Sequence, residues 1–217
     1  MDMTYIFTIL PQMWIGALES LKIFGLVALL SIPLGLLMAL GRINGFDFIK
    51  KLLAVYVWVL RGSPLMLQML FVYFALPTMG IYFEDFTAAM IAFVLNYAAY
   101  FCEIFRSGFQ AIPKGQFEAA HVLGMGYWQT LRRIIFPQVL RIVLPPMSNE
   151  IITLVKDTSL VYVLAMNDLM RTTRNLVQRD FSIVPFLVAV IFYLAGTLIL
   201  TVVFNKLERY LSRCNAD

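Results

Sequence analysis

The sequence predicts an all-α polytopic membrane protein whose chain crosses the bilayer about five times, at roughly 20 apolar residues per crossing helix. Two observations carry this. Of the 217 residues, 61% are hydrophobic and only 14% charged, with a mean hydropathy of +0.81. That balance is far too apolar for a soluble domain of this size. The chain also holds long runs without a charge, residues 23–40 and 183–204 being the clearest.

In chain order, residues 1–12 carry Asp2 but no Lys or Arg and lead into no small-residue cleavage pattern, so no cleaved signal peptide is expected. The first span is residues 23–40, with Glu19 and Lys22 just before it; Pro33 and Gly35 inside it are tolerated in a membrane helix and can kink it. Arg42, Asp47, Lys50 and Lys51 form a short polar loop. The second span, 52–77, is apolar except for Arg61-Gly62-Ser63-Pro64, where a helix-breaking pair adjoins a cation. Two readings stand: Arg61 snorkels to an interface while Pro64 starts the true helix, or the broken backbone lines a cavity.

A hairpin, 78–86, with Glu84 and Asp85 precedes the third span, 87–104, whose Asn96 suits hydrogen bonding between helices. The fourth span, 147–166, is unusual in carrying Glu150, Lys156 and Asp157. A polar loop, 167–181, with Asp168, Arg171, Arg174, Arg179 and Asp180 leads to the fifth span, 183–204, and Lys206, Glu208, Arg209 and Arg213 close the chain.

Between the third and fourth spans lies the long polar interval. Residues 117–123 read as a short helix stopped at Gly124, which can take the positive φ of a helix C-terminus. A second short helix is expected over 127–135. The Ala side chains beside Glu118 leave a low surface, so the element is either an amphipathic helix lying on the membrane or a part that docks into a groove on another protein.

Here the residues resemble a known family. Glu118-Ala119-Ala120, Gly124, Ile134 and Pro137 stand at the spacing of the EAA-x3-G-x9-I-x-L-P loop of binding-protein-dependent ABC importer permeases, with Phe136 where the pattern has Leu. Arg61-Gly62-Ser63-Pro64-Leu65 resembles the RGTPL-type signature of the polar amino-acid branch. Asn149-Glu150 and Lys156-Asp157-Thr158-Ser159-Leu160 resemble its NE and KDTSL pattern. The resemblance implies a type I importer permease, a single domain over 1–217 with a cytoplasmic coupling loop at about 106–146. It implies substrate binding by Arg61, Gly62, Ser63, Pro64, Leu65, Glu150, Asp157, Thr158 and Ser159, and ATPase coupling through Glu118, Ala119, Ala120, Gly124, Ile134 and Pro137. It also implies partners: a cytoplasmic ATP-binding cassette ATPase, a second permease subunit, identical or related, and an extracytoplasmic solute-binding protein. The cargo would be a polar amino acid.

Glu150 and Asp157, seven apart, return to within about 20° of one helix face, with Lys156 about 100° away. They can form a pocket, or neutralise neighbouring charges between packed helices. The cation distribution sets orientation. Arg42, Lys50, Lys51, Arg106, Lys114, Arg132, Arg133, Arg141, Lys206, Arg209 and Arg213 fall on one side, against Arg171, Arg174 and Arg179 on the other. Positive-inside bias therefore puts the interval and the C-terminus in the cytoplasm and the N-terminus outside; the resemblance implies that the membrane is a bacterial inner membrane.

Other classes fit less well. No Gly-x-x-x-x-Gly-Lys-Ser/Thr run occurs, so ATP would be used by a partner chain and no cofactor is expected here. The lone histidine, His121, sits outside the spans, which argues against a membrane protease or metalloenzyme. The absence of an internal repeat argues against a self-contained carrier. Cys102 and Cys214 lie in unlike surroundings and imply no disulfide or metal site, and the net charge of +4 reads as membrane orientation rather than nucleic-acid binding.

Overall fold

A computed structural model describes residues 3–213; Asp2 and Cys214 lie outside the described residues, as does the Arg213 side chain. Among the described residues all regular structure is helical. Helix α1, Met3–Asn44, is 42 residues long, so the helix extends well ahead of the apolar run 23–40. Its early turns bury Ile9 and Met13 in a small cluster with Leu169, Leu176, Val188 and Ala189, and this packing keeps them helical in spite of Pro11. Further on, α1 lies against α4, Asp85–Gln110. A Cβ on Gly35 would come within 2.6 Å of Phe101 Cβ and 3.0 Å of Ala98 O, so glycine is what lets the two backbones approach.

Helix α4 is the centre of the bundle, with Phe93, Tyr97 and Phe101 almost wholly enclosed. At its far end Glu103 pairs with Arg106 on its own helix and with Arg42 at the end of α1. Each of these side chains is about a quarter exposed or less, so the triad ties α1 to α4 in surroundings partly shielded from water.

Helix α2, Asp47–Gly62, and α3, Leu65–Leu70, are separated by Ser63 and Pro64 in extended conformation. The chain then runs through a π turn, Phe71–Ala75, and a 3₁₀ turn, Leu76–Met79. The two arms meet at 106°. Past α4 come α5, Lys114–Val122, and α6, Tyr127–Thr130, with a π turn, Leu131–Ile135, leading into α7, Phe136–Asp157.

Two sequence expectations change here. The fourth span does not begin at residue 147: α7 starts at Phe136 and runs through Pro145 and Pro146. Val139 and Val143, both enclosed in the main core, anchor the turns before the prolines, and tertiary packing outweighs the lost helical bonds. It also ends earlier, at Asp157, and continues as a 3₁₀ helix, Thr158–Leu164. The interval read as a loop over 106–146 therefore overlaps the last turn of α4 and the first turns of α7.

The second change is at 167–181, where α8, Leu169–Asp180, stands in place of a loop. Asp168 caps it, accepting from the backbone N–H groups of Met170 at 2.9 Å and Arg171 at 3.0 Å. Leu169, Thr173 and Leu176 form its buried stripe, and Leu169 N–H donates to Ser20 Oγ on α1 at 3.1 Å. Helix α9, Val184–Arg213, closes the chain. By length and composition α1, α4 and α9 can each cross a membrane, and the bent α2–α3 pair is either a fourth, broken span or a re-entrant loop. The charged α7 is the remaining span of the sequence reading.

Candidate functional site

The break between α2 and α3 opens onto a cavity of about 670 Å³ shared with α4 and α7. Arg61, Gly62, Ser63, Pro64 and Leu65 line one wall, and Glu150, Thr153 and Asp157 from α7 line another. The seven-residue spacing of the two carboxylates does place both on one face. Of the substrate residues expected from sequence, Thr158 and Ser159 are not in this wall. Thr158 Oγ1 donates to Val155 O at 2.8 Å and lines a separate cavity of about 410 Å³ toward α1 and α9. That second space is walled by residues such as Trp14, Phe24, Phe192 and Leu200 and offers no charged group to a polar solute.

Arg61 is exposed and lines the cavity. Its guanidinium carbon sits 5.1 Å from the centroid of the Tyr100 ring, a cation–π arrangement that keeps it along the cavity. Asp157 is held from below, where the Tyr97 hydroxyl donates to its Oδ2 at 2.8 Å. Lys156 is exposed on another face. Asn96 bonds across helices as its chemistry suggested, donating to Leu60 O at 2.9 Å and to Gln68 Oε1 at 3.0 Å. Tyr97, Tyr100 and Gln68 escaped sequence reasoning because aromatic residues and one amide in an apolar run look like ordinary packing; the α4 spacing 96, 97, 100 could have grouped the two tyrosines with Asn96, but nothing of the kind pointed to Gln68 on α3.

The segment between α4 and α7 forms a second constellation. Glu118 and Ala119 are exposed, whereas Ala120 is enclosed at 1% exposure, so the two alanines do not share one surface. Gly124 has φ 74. Met125 N–H reaches Ala120 O and Gly124 N–H reaches His121 O, the paired bonds of a Schellman stop. Ile134 and Pro137 are half-buried at the junction with α7. There Gln116 and Gln138 exchange side-chain hydrogen bonds at 3.0 and 2.6 Å, fastening α5 to α7. Beyond these, Val122, Leu123 and Trp128 stand 86%, 77% and 75% exposed, an apolar tip of the kind that marks a contact surface.

A bundle of spanning helices with a charged cavity at a broken helix, and an apolar-tipped helical segment between two spans, defines a membrane permease. Residues 31–213 match the family described as binding-protein-dependent transport system inner membrane component, and the chain belongs to it. The arginine transport system permease protein ArtQ of Bacillus subtilis (strain 168) is 36% identical over 204 residues, 93% of each chain. The glutamine transport system permease protein GlnP of Escherichia coli (strain K12) is 35% identical over 211 residues, 96% of each chain. The L-cystine transport system permease protein TcyB of Bacillus subtilis (strain 168) is 35% identical, over 88% of this chain and 80% of TcyB.

Among solved structures, the crystal structure of an amino acid ABC transporter with histidines superposes with a TM-score of 0.89 at 31% identity, covering 97% of this chain and 99% of that one. An inward-facing MetNI methionine ABC transporter, at 14% identity and a TM-score of 0.73 over 97% of this chain and 99% of that one, shares the fold. The chain is thus a transporter subunit and not an enzyme; in these systems the ATPase is a separate subunit. Membership implies an ATPase and a solute-binding protein as partners.

Proposed function

We propose that this chain is the permease subunit of an importer for polar amino acids, and that the cavity bounded by Arg61, Glu150 and Asp157 is where the cargo rests. One observation carries the reading: two carboxylates from α7 and a guanidinium from the α2–α3 break share a single cavity. An intramembrane charge costs about 3 kcal/mol on insertion scales and stays when it is used. The ammonium group or basic side chain of the cargo meets Glu150 and Asp157. Its carboxylate meets Arg61 and the opened backbone of Gly62, Ser63, Pro64 and Leu65. Two acids against one cation favour a cargo with a cationic side chain. The names of ArtQ and GlnP, an arginine and a glutamine permease, support the same class.

Two permease subunits, identical or related, line the path. The segment with Glu118, Ala119, Ala120, Gly124, Ile134 and Pro137 meets the cytoplasmic ATPase in a bacterial inner membrane, and the solute-binding protein sits outside. The cation distribution supports this orientation. A reporter active only in the cytoplasm should be active when fused after α9 and silent when fused between residues 80 and 84; the reverse pattern overturns the orientation.

The cargo site is tested by Glu150→Gln and Asp157→Asn, assayed for uptake and for ATP hydrolysis with the binding protein present. Each substitution should raise the apparent KM about tenfold, as expected when a charge-assisted hydrogen bond of roughly 1.5 kcal/mol is lost. Unchanged affinity and unchanged substrate preference in both variants would place the cargo elsewhere.

A further inference from the structure

The break at Ser63–Pro64 leaves carbonyls without their helical donors, and the molecule supplies substitutes. In an uninterrupted helix the N–H of residue 64 would bond Leu60 O, but proline has none. Gln68 Nε2 lies 2.8 Å from Leu60 O, 2.8 Å from Ser63 Oγ and 3.1 Å from Ser63 O. Asn96 Nδ2, from α4, is 2.9 Å from the same Leu60 O and 3.0 Å from Gln68 Oε1. Ser63 Oγ donates back to Val59 O at 2.8 Å. Asn96 is only 4% exposed, and a buried amide of this kind is retained where its bonds specify geometry. One turn further along the same helix, Tyr100 takes the Arg61 guanidinium. Helix α4 therefore holds both the break and the cation that the break presents.

We infer that Gln68 and Asn96 are positioning residues for the cargo: their amides stand in for the missing N–H of Pro64, hold the two arms at 106°, and so set where Arg61 and Ser63 meet the substrate. This rests on the reading of the cavity as the cargo site. A purely structural role would lower stability or the amount of protein inserted. A positioning role moves affinity, because small displacements of binding groups are felt steeply.

The test uses the assembled transporter in proteoliposomes, with the cargo amino acid identified by uptake screening of arginine and glutamine. Gln68→Met, close in volume, and Asn96→Leu, which keeps the branching at Cγ, should raise the KM for uptake about tenfold while kcat and inserted protein stay within about twofold. Spin labels at Trp58 and Phe74, both exposed and on opposite sides of the break, should report a longer or broader distance in each variant. If Gln68→Met fails to assemble, Asn96→Leu carries the measurement, since Gln68 Nε2 still serves Leu60 O there. It should assemble and still show the raised KM.

An unmoved distance overturns the inference, as does a loss of kcat or protein with KM unchanged, and so does an Asn96→Leu variant of normal KM. Glu150→Gln, run alongside, separates the two layers. If it raises KM and the amide variants do not, the positioning role fails and the cargo site stands. If none of them moves KM, the cargo site fails and the positioning role with it.

Discussion

The Tyr97 hydroxyl donates to Asp157 Oδ2 at 2.8 Å, so a carboxylate on α7 is aimed by a residue of α4 that is itself 2% exposed. Because the phenol is enclosed on all other sides, its hydroxyl can swing nowhere else to compensate. Tyr97→Phe removes the bond and leaves the ring packing intact. A hydrogen bond to a charged group contributes about 1.5–3 kcal/mol, part of which Asp157 recovers by turning toward the cavity. We expect the KM for uptake to rise about fivefold to tenfold, equivalent to roughly 1–1.4 kcal/mol, with thermal stability lowered. Uptake kinetics and melting in the same preparation check this; equal KM and equal melting temperature would show that the bond does nothing for either.

How much of this was legible in the residues differs from element to element. The apolar runs located the spans, and the seven-residue spacing of Glu150 and Asp157 put them on one wall, because both follow from helix geometry alone. The stop at Gly124 was equally visible, since only a residue tolerant of positive φ ends a helix that way. Helix α8 was hidden. Its stripe of Leu169, Thr173 and Leu176 is too sparse to stand out among charged neighbours, and what holds it is Ser20, distant in sequence. The helix through Pro145 and Pro146 was also hidden, because local propensity argues against it and packing of Val139 and Val143 decides the matter. Thr158 was placed in the site by resemblance; it follows Asp157 by one residue, about 100° round the helix, and lines the neighbouring cavity.

Asp168 makes α8 sensitive to pH. Burial pushes its carboxyl from the ordinary 3.8 up to about 6, although the N–H groups of Met170 and Arg171 pull the other way. The folded chain therefore holds this proton more tightly than the unfolded one. The contribution to stability is complete below about pH 4, is lost as pH rises through about 6, and is flat above that, at most about 3 kcal/mol. Asn is as good a helix cap as Asp but does not titrate. Asp168→Asn should thus leave α8 capped and remove this part of the profile. Melting temperatures of both forms between pH 4 and 7 give the difference directly; a difference that does not change over that range overturns the assignment.

Gly124 separates conformational strain from crowding. A Cβ there meets nothing within 4 Å, so within the chain the only penalty for a side chain is the positive φ of 74. That conformation costs ordinary residues about 1–2 kcal/mol, more when the side chain is β-branched, whereas Asn tolerates it. Gly124→Asn should keep the Schellman stop and the angle between α5 and α6, and Gly124→Val should not. The stop sets how Glu118, Ala119, Val122 and Leu123 are presented, and none of the α4 core depends on it. We therefore expect both variants to insert and melt nearly alike. With the partner ATPase and loaded binding protein, Gly124→Val should lose about nine-tenths of substrate-stimulated hydrolysis, the equivalent of roughly 1.4 kcal/mol in docking, and Gly124→Asn should retain most of it. Equal hydrolysis in the two would mean that presentation of this segment does not govern coupling. Equal loss in both would mean that any side chain at this position is excluded by the partner, and that strain is not the cause.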